Sequence, residues 1–285
     1  MLFKPSKIKA KLVPVAKISE ETIREMHDLF VEYYENADYE TFKQDLSEKT
    51  GSFMWREKDT GKLVAFANIK LMSLPHKKRR VRAFFCGDTV CHRKYWQRNT
   101  GRNNPMAGTV YWFIIRFFLR HPFSETYWFM ISMSFRTYLL VANNCVNHFP
   151  HYRRDDRKTR KLGEVCRLFA EHMYGEKYDP ATGLVDFGRQ DQNQTIKSDV
   201  APVTAEMLKK YPKIRFYEEL NPDNHKGMEM ACIGALDLDA IISYMGKYTR
   251  RMLKAVPGPS LAGDILARMR PYGRRKQRAE KGTAA

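Results

Sequence analysis

Residues 86–104, with the sequence CGDTVCHRKYWQRNTGRNN, combine an aspartate, a histidine, two glycines and several cationic side chains within an apolar part of the chain. If the first of these residues form a strand, Cys86, Asp88, Val90 and His92 share one face, because side chains alternate along a strand. A histidine can transfer protons near neutral pH. The spacing therefore predicts a general base and its partner, or alternatively an Asp88 that pairs with an arginine beside a surface His92.

The second half of this stretch has the composition of an anion-binding loop. Gly101 lies between Arg98 and Arg102, just before an aromatic helix predicted at 106–120. A glycine allows close approach of the backbone, and a helix N-terminus presents unpaired N–H groups to an anion, to which arginines add charge-assisted hydrogen bonds. We interpret the loop as a phosphate-binding turn; a surface loop with solvated arginines is the alternative.

The composition narrows the class of protein. A chain of 285 residues with 43% hydrophobic and 13% aromatic residues can fill a sizeable core, which excludes disorder of the whole chain. The five cysteines show no C-x-x-C pair and no histidine at zinc spacing, so we predict no disulfide framework, no metal and a cytoplasmic location. The longest apolar run, 110–119, is interrupted by Arg116 and is too short to cross a membrane.

The formal net charge of +18 leaves a second class of function open. Basic clusters at 76–82, 92–98 and 151–161 could attract nucleic acid, so a non-enzymatic nucleic-acid-binding protein is the alternative to an enzyme. No RNP signature, zinc-finger spacing or helix-turn-helix pattern accompanies the charge. The last residues are basic and poor in apolar side chains, which predicts a disordered tail over 256–285.

The order of predicted elements is more informative than any single motif. Hydrophobic periodicity, caps and turn signals predict a strand at 10–18, a helix capped by Ser19, a second short helix, three antiparallel strands ending near residue 92, a helix at 106–120, a strand at 126–134 and a helix from Phe135 to before Pro150. Helices then follow within 151–211. The segments IRFYEEL and MEMACIGAL are predicted to be two closing strands, with a final helix at 238–254.

This order, together with the loop, resembles the GCN5-related N-acetyltransferase (GNAT) superfamily. The resemblance implies a mixed α/β fold with a central, mostly antiparallel sheet that splays between its fourth and fifth strands. It also implies a loop of pattern Q/R-x-x-G-x-G/A that holds the pyrophosphate of acyl-CoA. The corresponding residues here are Gln97, Arg98, Asn99, Thr100, Gly101, Arg102 and Asn103, and Asn103 departs from the usual Gly or Ala.

The resemblance further implies roles for side chains near that loop. A Glu, Asp or His on the strand before it often serves as general base, which points to Asp88 or His92. A tyrosine on the helix after the fifth strand commonly protonates the departing thiolate, which points to Tyr138, with His148 or Tyr152 as alternatives. Cys91 could carry an acyl group in a two-step reaction, but a buried, unreactive cysteine is favoured.

The sequence is thus interpreted as one GNAT-like N-acyltransferase domain over 1–255, with a helical insertion at about 151–211 and the tail at 256–285. The donor would be acyl-CoA or a phosphopantetheine-linked acyl group on an acyl carrier protein, which a basic surface could dock. The acceptor would be the amine or hydroxyl of a small molecule or peptide. A homodimer is left open, and the sequence does not identify the acceptor.

Overall fold

A computed structural model describes residues 8–95, 105–121, 124–188, 194–243 and 246. The chain divides into a unit that ends at Ala240 and a unit that begins at Ile241. Every helix and strand named below belongs to the first unit. The predicted boundary at residue 255 and most of the predicted final helix lie outside the described residues, so that division of the chain stays a prediction.

Strands and helices alternate along the first unit much as the hydrophobic periodicity predicts. The strands are β1 (Ile8–Pro14), β2 (Tyr34–Glu35), β3 (Gly51–Glu57), β4 (Leu63–His76), β5 (Arg79–Cys91), β6 (Glu125–Ser132), β7 (His148–Phe149), β8 (Tyr178–Asp179), β9 (Leu184–Val185), β10 (Thr195–Ile196) and β11 (Glu229–Ala235). The helices are α1 (Glu20–Val31), α2 (Tyr39–Ser47), α3 (Pro105–Arg120), α4 (Phe135–Asn144), α5 (Arg157–Tyr174), α6 (Ala205–Lys210) and α7 (Pro212–Leu220). The predicted cap of α1 is confirmed, because Ser19 Oγ accepts a hydrogen bond from the backbone N–H of Thr22 at 3.3 Å.

One large sheet runs through this unit in the order β1-β3-β4-β5-β6-β11-β9-β8, with β7 paired to β11. Each of its strand pairs is antiparallel except β5 with β6, which is parallel. A separate short pair joins β10 to β2. The predicted mixed α/β fold with a mostly antiparallel central sheet is confirmed.

Helices cover both faces of the sheet, and each face buries its own apolar side chains. The face we call the α3 face packs against α3, α4, α6 and α7, and it includes Phe84, Cys86 and Trp128. The opposite face, which we call the α5 face, packs against α5 at one end and against α1 and α2 at the other. Burial of these side chains stabilises each face by roughly 25 cal/mol per Å² of apolar surface removed from water.

The parallel strands β5 and β6 separate along their length. They pair only where 81–85 lies opposite 125–129. Further on, β5 stays paired with β4, whereas β6 stays paired with β11. The gap bounded by 86–91 and 130–132 is called the β5–β6 opening below. It confirms the predicted splay.

The prediction that side chains alternate strictly between the two faces along β5 is wrong, because a β-bulge interrupts the strand. Asn68 of β4 pairs with Gly87 and Phe66 pairs with Val90, so β5 contains one extra residue between them. Before the bulge Cys86 packs into the α3 face, whereas after it Val90 packs into the α5 face. Bulges redirect side chains in this way, so Cys86 and Val90 do not share the face that the sequence pattern assigned to them.

Two predictions for the second half of the chain need correction. IRFYEEL is not a strand but belongs to α7, because Pro212 suits the first turn of a helix and Ile214 and Tyr217 are buried at helical spacing. The predicted helical insertion also contains strands, since β8 and β9 extend the sheet beyond β11. The strand predicted at MEMACIGAL is confirmed as β11.

Candidate active site

Asp88 lies at the β-bulge, on the edge of the β5–β6 opening. Its backbone adopts φ +43°, a left-handed conformation that is uncommon for a residue with a side chain. Its carboxylate accepts a hydrogen bond from Asn68 Nδ2 at 3.1 Å. Asn68 alternates with Phe66 along β4, and Phe66 packs into the α5 face, so the bulge directs the Asp88 carboxylate towards that face.

Asn68 itself is fully buried, and one of its polar atoms is unsatisfied. Its Nδ2 donates to Asp88, but its carbonyl oxygen Oδ1 accepts no hydrogen bond from any of the described residues. A buried acceptor without a partner costs free energy. Such a cost is typical of sites where a bound molecule or water completes the hydrogen bonding.

Glu229, the first residue of β11, supplies a second carboxylate on the same face. Ala231 and Ile233 follow it at strand spacing and pack into the α5 face, so Glu229 projects to that side as well. Burial and the negative charge of Asp88 raise the pKa of Glu229 to about 8, and the positive charge of Lys49 acts in the opposite direction. Glu229 keeps part of its surface exposed, so a bound molecule can reach a carboxyl group that exchanges protons near neutral pH.

Lys49 and two tyrosines surround the carboxylates. The Lys49 ammonium lies 5.7 Å from the centre of the Phe85 ring, at the last residue of β5 that pairs with β6. Burial and the charges of Glu229 and Asp88 raise the pKa of both Tyr34 and Tyr174. These tyrosines keep their protons at neutral pH and can act as hydrogen-bond donors to a bound molecule.

His92 lies just beyond the end of β5, and no contact between its side chain and Asp88 is seen in the described residues. Its backbone N–H donates to Val64 O at 2.9 Å, and its Nδ1 accepts from the backbone N–H of Lys94 at 3.2 Å. Its ring meets the ring of Tyr95 edge to face, with the centroids 6.3 Å apart. The structure does not bring together the pair predicted from the spacing, and a catalytic role for His92 stays a prediction.

Tyr138 belongs to the core of the α3 face. Its exposed fraction is 0%, its hydroxyl donates to Pro150 O at 3.2 Å, and its ring stacks on that of Tyr217. Burial raises its pKa. A proton donor has to reach the departing thiolate, so this placement argues against the predicted role and gives Tyr138 a packing role.

His148 is also enclosed by protein. Its Nδ1 donates to Cys145 O at 3.0 Å, and its ring stacks on that of His151 with the centroids 4.3 Å apart. Burial, together with the charge of His151, lowers the pKa of His148 to about 3. With an exposed fraction of 2%, His148 is neutral at physiological pH and is placed as a structural residue. Tyr152, its alternative, stacks on His151.

The predicted donor loop, Gln97, Arg98, Asn99, Thr100, Gly101, Arg102 and Asn103, lies outside the described residues. Cys91 is half-buried, and its Sγ donates to the backbone carbonyl of His92 at 3.6 Å. Within the described ranges, no group of three or more His, Cys, Asp or Glu side chains could hold a metal ion. In the same part of the chain, no helix is both long enough and apolar enough to span a membrane.

Two features now agree with the arrangement that the sequence resemblance implied. The elements follow the predicted order, from β1 through the two helices and three antiparallel strands to α3, β6 and α4. The parallel pair β5–β6 separates halfway along an otherwise antiparallel sheet. The fold is GNAT-like. Asp88 lies at the β5–β6 opening of this GNAT-like sheet, and Glu229 projects from the same face at the start of β11, where the charge of Asp88 raises its pKa.

Comparison with known proteins gives structural matches only. No family model matches the sequence, and no curated protein matches it. One similar solved structure is an Enterococcus faecalis protein described as a probable N-acyltransferase, with 14% identity. The match covers 48% of this chain and 32% of that chain, with a TM-score of 0.35. Another is Saccharomyces cerevisiae N-myristoyltransferase with bound myristoyl-CoA, with 12% identity. That match covers 73% of this chain and 47% of that chain, with a TM-score of 0.35.

A third is a GNAT family N-acetyltransferase from Escherichia coli in complex with CoA, with 12% identity, 46% of this chain and 67% of that chain covered, and a TM-score of 0.32. The matched part of this chain spans less than half the length of the first two structures.

Glu229 was not predicted from the sequence. The segment MEMACIGAL was interpreted only as a strand, and its glutamate precedes six residues that are all buried. A carboxylate at the start of a fully buried strand needs a partner or a function. That signal was present in the sequence, but its closeness to Asp88 depends on the order of strands in the sheet.

Proposed function

We propose that this protein is an N-acyltransferase that moves an acyl group from a thioester donor to an amine, or alternatively a hydroxyl, of a small molecule or peptide. The observation that carries the proposal is the placement of Asp88 at the opening between two parallel strands that separate, with Glu229 on the same face of the sheet and within range of the charge of Asp88. Residues with a perturbed pKa, such as Glu229, are enriched at catalytic sites.

Glu229 is the general base in this proposal. With a pKa of about 8, Glu229 is ionised in roughly a tenth of the molecules at pH 7, and this ionised form can take a proton from the acceptor's ammonium or hydroxyl group. The freed lone pair attacks the thioester carbonyl, the new C–N or C–O bond forms, and the C–S bond breaks. The departing thiolate takes up the second proton lost by an acceptor nitrogen or, for a hydroxyl acceptor, the proton held by Glu229. Asp88 acts on Glu229 by holding its pKa high.

The edge of β5 supplies the second element of the mechanism. Beyond Phe85, that edge lacks the β6 partner it has at 81–85. Backbone N–H groups that do not pair within the sheet are available to stabilise the negative charge on a carbonyl oxygen in the transition state. Most of the rate enhancement would then come from the positioning of donor and acceptor together with this hydrogen bonding.

The donor is proposed to be acyl-CoA or a phosphopantetheine-linked acyl group on an acyl carrier protein. Support comes from the composition of the loop at 97–103, with Arg98, Gly101 and Arg102 before α3, and from the net charge of +18, which would attract either anionic donor. A carrier-protein donor requires one feature more than acyl-CoA does, because the acyl carrier protein also needs a surface on which to dock.

The Glu229→Gln variant tests the proposal. The purified protein is mixed with acetyl-CoA, longer acyl-CoA donors or a loaded acyl carrier protein and a panel of amines, and thiol release is measured in single turnover. We expect transfer with at least one pair, and a loss of about 10²- to 10⁴-fold in Glu229→Gln, as for removal of a general base.

The matched control is Glu219→Gln, which makes the same chemical change at an exposed site on α7. It should keep the wild-type rate and melting temperature, whereas Glu229→Gln should melt at the wild-type temperature or above it, because it removes a carboxyl group whose pKa is raised in the folded protein. A folded Glu229→Gln variant with wild-type turnover would remove the general base from this account. Absence of thiol release with every donor would contradict the proposed activity itself.

A further inference from the structure

A basic groove lies at the edge of the sheet, between β1 and the start of α1. Its volume is about 320 Å³. Lys9 and Lys11 of β1 line it together with Lys17, which lies in the short turn that leads into α1. Arg56 of β3 completes the cationic wall, since Lys9 pairs directly with Arg56 across the two strands.

The positive charge of this groove is poorly balanced. Arg56 forms a salt bridge with Glu25 at 2.7 Å, but within the described residues Lys9, Lys11 and Lys17 have no carboxylate within salt-bridge distance. Like charges at opposed or neighbouring positions of a sheet repel one another. Because Arg56 is already paired, the three lysines leave this concave surface with a net positive charge that a bound anion would neutralise.

The floor of the groove has a different character. Met54 is nearly buried beneath the lysines, and Ile18 adds a second, partly exposed apolar side chain. Thr22, a residue with a hydroxyl group, is also part of the lining. An apolar floor with a few convergent polar groups is the usual composition of a small-molecule site, and the volume falls at the lower end of the range for such sites.

We propose that this groove binds a small phosphorylated molecule, with its phosphate groups held by Lys9, Lys11 and Lys17 and its uncharged part over Met54. Lysine binds phosphate as a compact point charge with rotatable donors, so three lysines suit a ligand with at least two negative charges. The groove is lined by β1, β3 and α1 and contains none of the described residues around Asp88 and Glu229, so it is a second site, distinct from that pair of carboxylates.

Inorganic pyrophosphate is the probe for the first experiment. Binding is measured by calorimetry at about 0.15 M salt and by the ¹³C-methyl signal of Met54 in protein labelled at methionine, which Met54→Leu assigns. We expect saturable binding that shifts the Met54 signal. The Lys11→Gln/Lys17→Gln variant should bind about tenfold more weakly or worse, because two charge-assisted contacts are removed.

The matched control is Lys209→Gln/Lys210→Gln, which removes two exposed charges from α6 on the other face of the sheet. It should bind pyrophosphate as the wild type does. Equal weakening of pyrophosphate binding in both double variants would show a general charge effect and overturn the proposal. Binding that leaves the Met54 signal unchanged would also overturn it. Failure of pyrophosphate to bind at all would also overturn it.

Two further arms separate this site from other anion-binding surfaces. Acetyl-CoA binding should be unchanged in Lys11→Gln/Lys17→Gln, and a parallel loss would place the groove within the donor site instead. Single-stranded RNA and phosphatidylserine vesicles are tested as competitors. If either binds through Lys11 and Lys17 while pyrophosphate does not displace it, the small-molecule proposal is wrong.

Discussion

Asp88 at the bulge of β5 and Glu229 at the start of β11 lie close enough for the charge of one to raise the pKa of the other. They belong to strands that are not neighbours, since β6 lies between β5 and β11 in the sheet. Their proximity arises where β5 separates from β6 and the bulge turns Asp88 towards the α5 face. The site is therefore a product of two irregularities in an otherwise regular sheet.

Gly87 lies beside the bulge in tight contact with Phe85, and Gly87→Ala tests whether the bulge depends on a glycine there. A Cβ at this position would lie 2.6 Å from the Phe85 ring, so the ring or the bulge has to move. We expect a loss of about 1–3 kcal/mol in the free energy of unfolding, as for overpacking, together with reduced acyl transfer. Urea denaturation and single-turnover assays measure the two effects.

Gly108→Ala is the control for that experiment, because a Cβ there meets nothing within 4 Å. Gly108 lies in α3, where alanine is favoured over glycine, so this variant should be as stable as the wild type or more so. If Gly87→Ala behaves like Gly108→Ala in both assays, the tight packing around the bulge does not position the site.

The regular part of the fold could be predicted from the sequence because it follows periodicity and caps. Ser19 marks the start of α1, and the strand and helix order up to Asn144 follows apolar spacing. The bulge could not be predicted, since only the register against β4 reveals the extra residue. Counting alternate residues across the bulge therefore assigned Cys86 and Val90 to the same face of the strand.

The site was predicted only in part, for a related reason. Asp88 was named as a candidate from its type and position, and its role stays a prediction, whereas Glu229 is distant from it in the chain and joins it only through the strand order. Tyr138 and His148 have residue types that suit proton transfer, yet both are buried. Helical spacing does not distinguish an aromatic side chain in a site from one in the core.

Buried His148 should make the protein sensitive to acid. Its pKa in the folded protein, about 3, lies below the ordinary value of 6.5. Between these two values the unfolded chain binds a proton that the folded chain does not, so the free energy of unfolding falls as the pH falls through this window. His148→Gln should show a flatter loss of melting temperature below about pH 6.5.

His172→Gln provides the comparison, since His172 is exposed on α5. Melting temperatures of the two variants and the wild type are followed from neutral pH downwards. His172→Gln should follow the wild type. If the melting temperature of His148→Gln falls with pH as steeply as those of the wild type and His172→Gln, proton uptake by His148 does not contribute to acid unfolding.

The proposed donor loop at 97–103 is tested by binding rather than by turnover. Arg98→Ala/Arg102→Ala should weaken acyl-CoA binding, and the difference from wild type should shrink as salt screens the charges. Gly101→Val should weaken binding at all salt concentrations, because a side chain blocks approach of the backbone. Unchanged donor affinity in both variants would place the donor elsewhere. Lys209→Gln/Lys210→Gln again controls for net charge.

The pH–rate profile of acyl transfer in Asp88→Asn and Lys49→Gln tests the central claim most directly. Asparagine can still accept the hydrogen bond from Asn68, but it removes the charge that raises the pKa of Glu229, so the acidic limb of the profile should move to lower pH. Lys49→Gln removes the charge that lowers this pKa, so the limb should move to higher pH. Opposite shifts of the two variants are the predicted result, and an acidic limb that stays in place in both would contradict the assignment of Glu229 as the base.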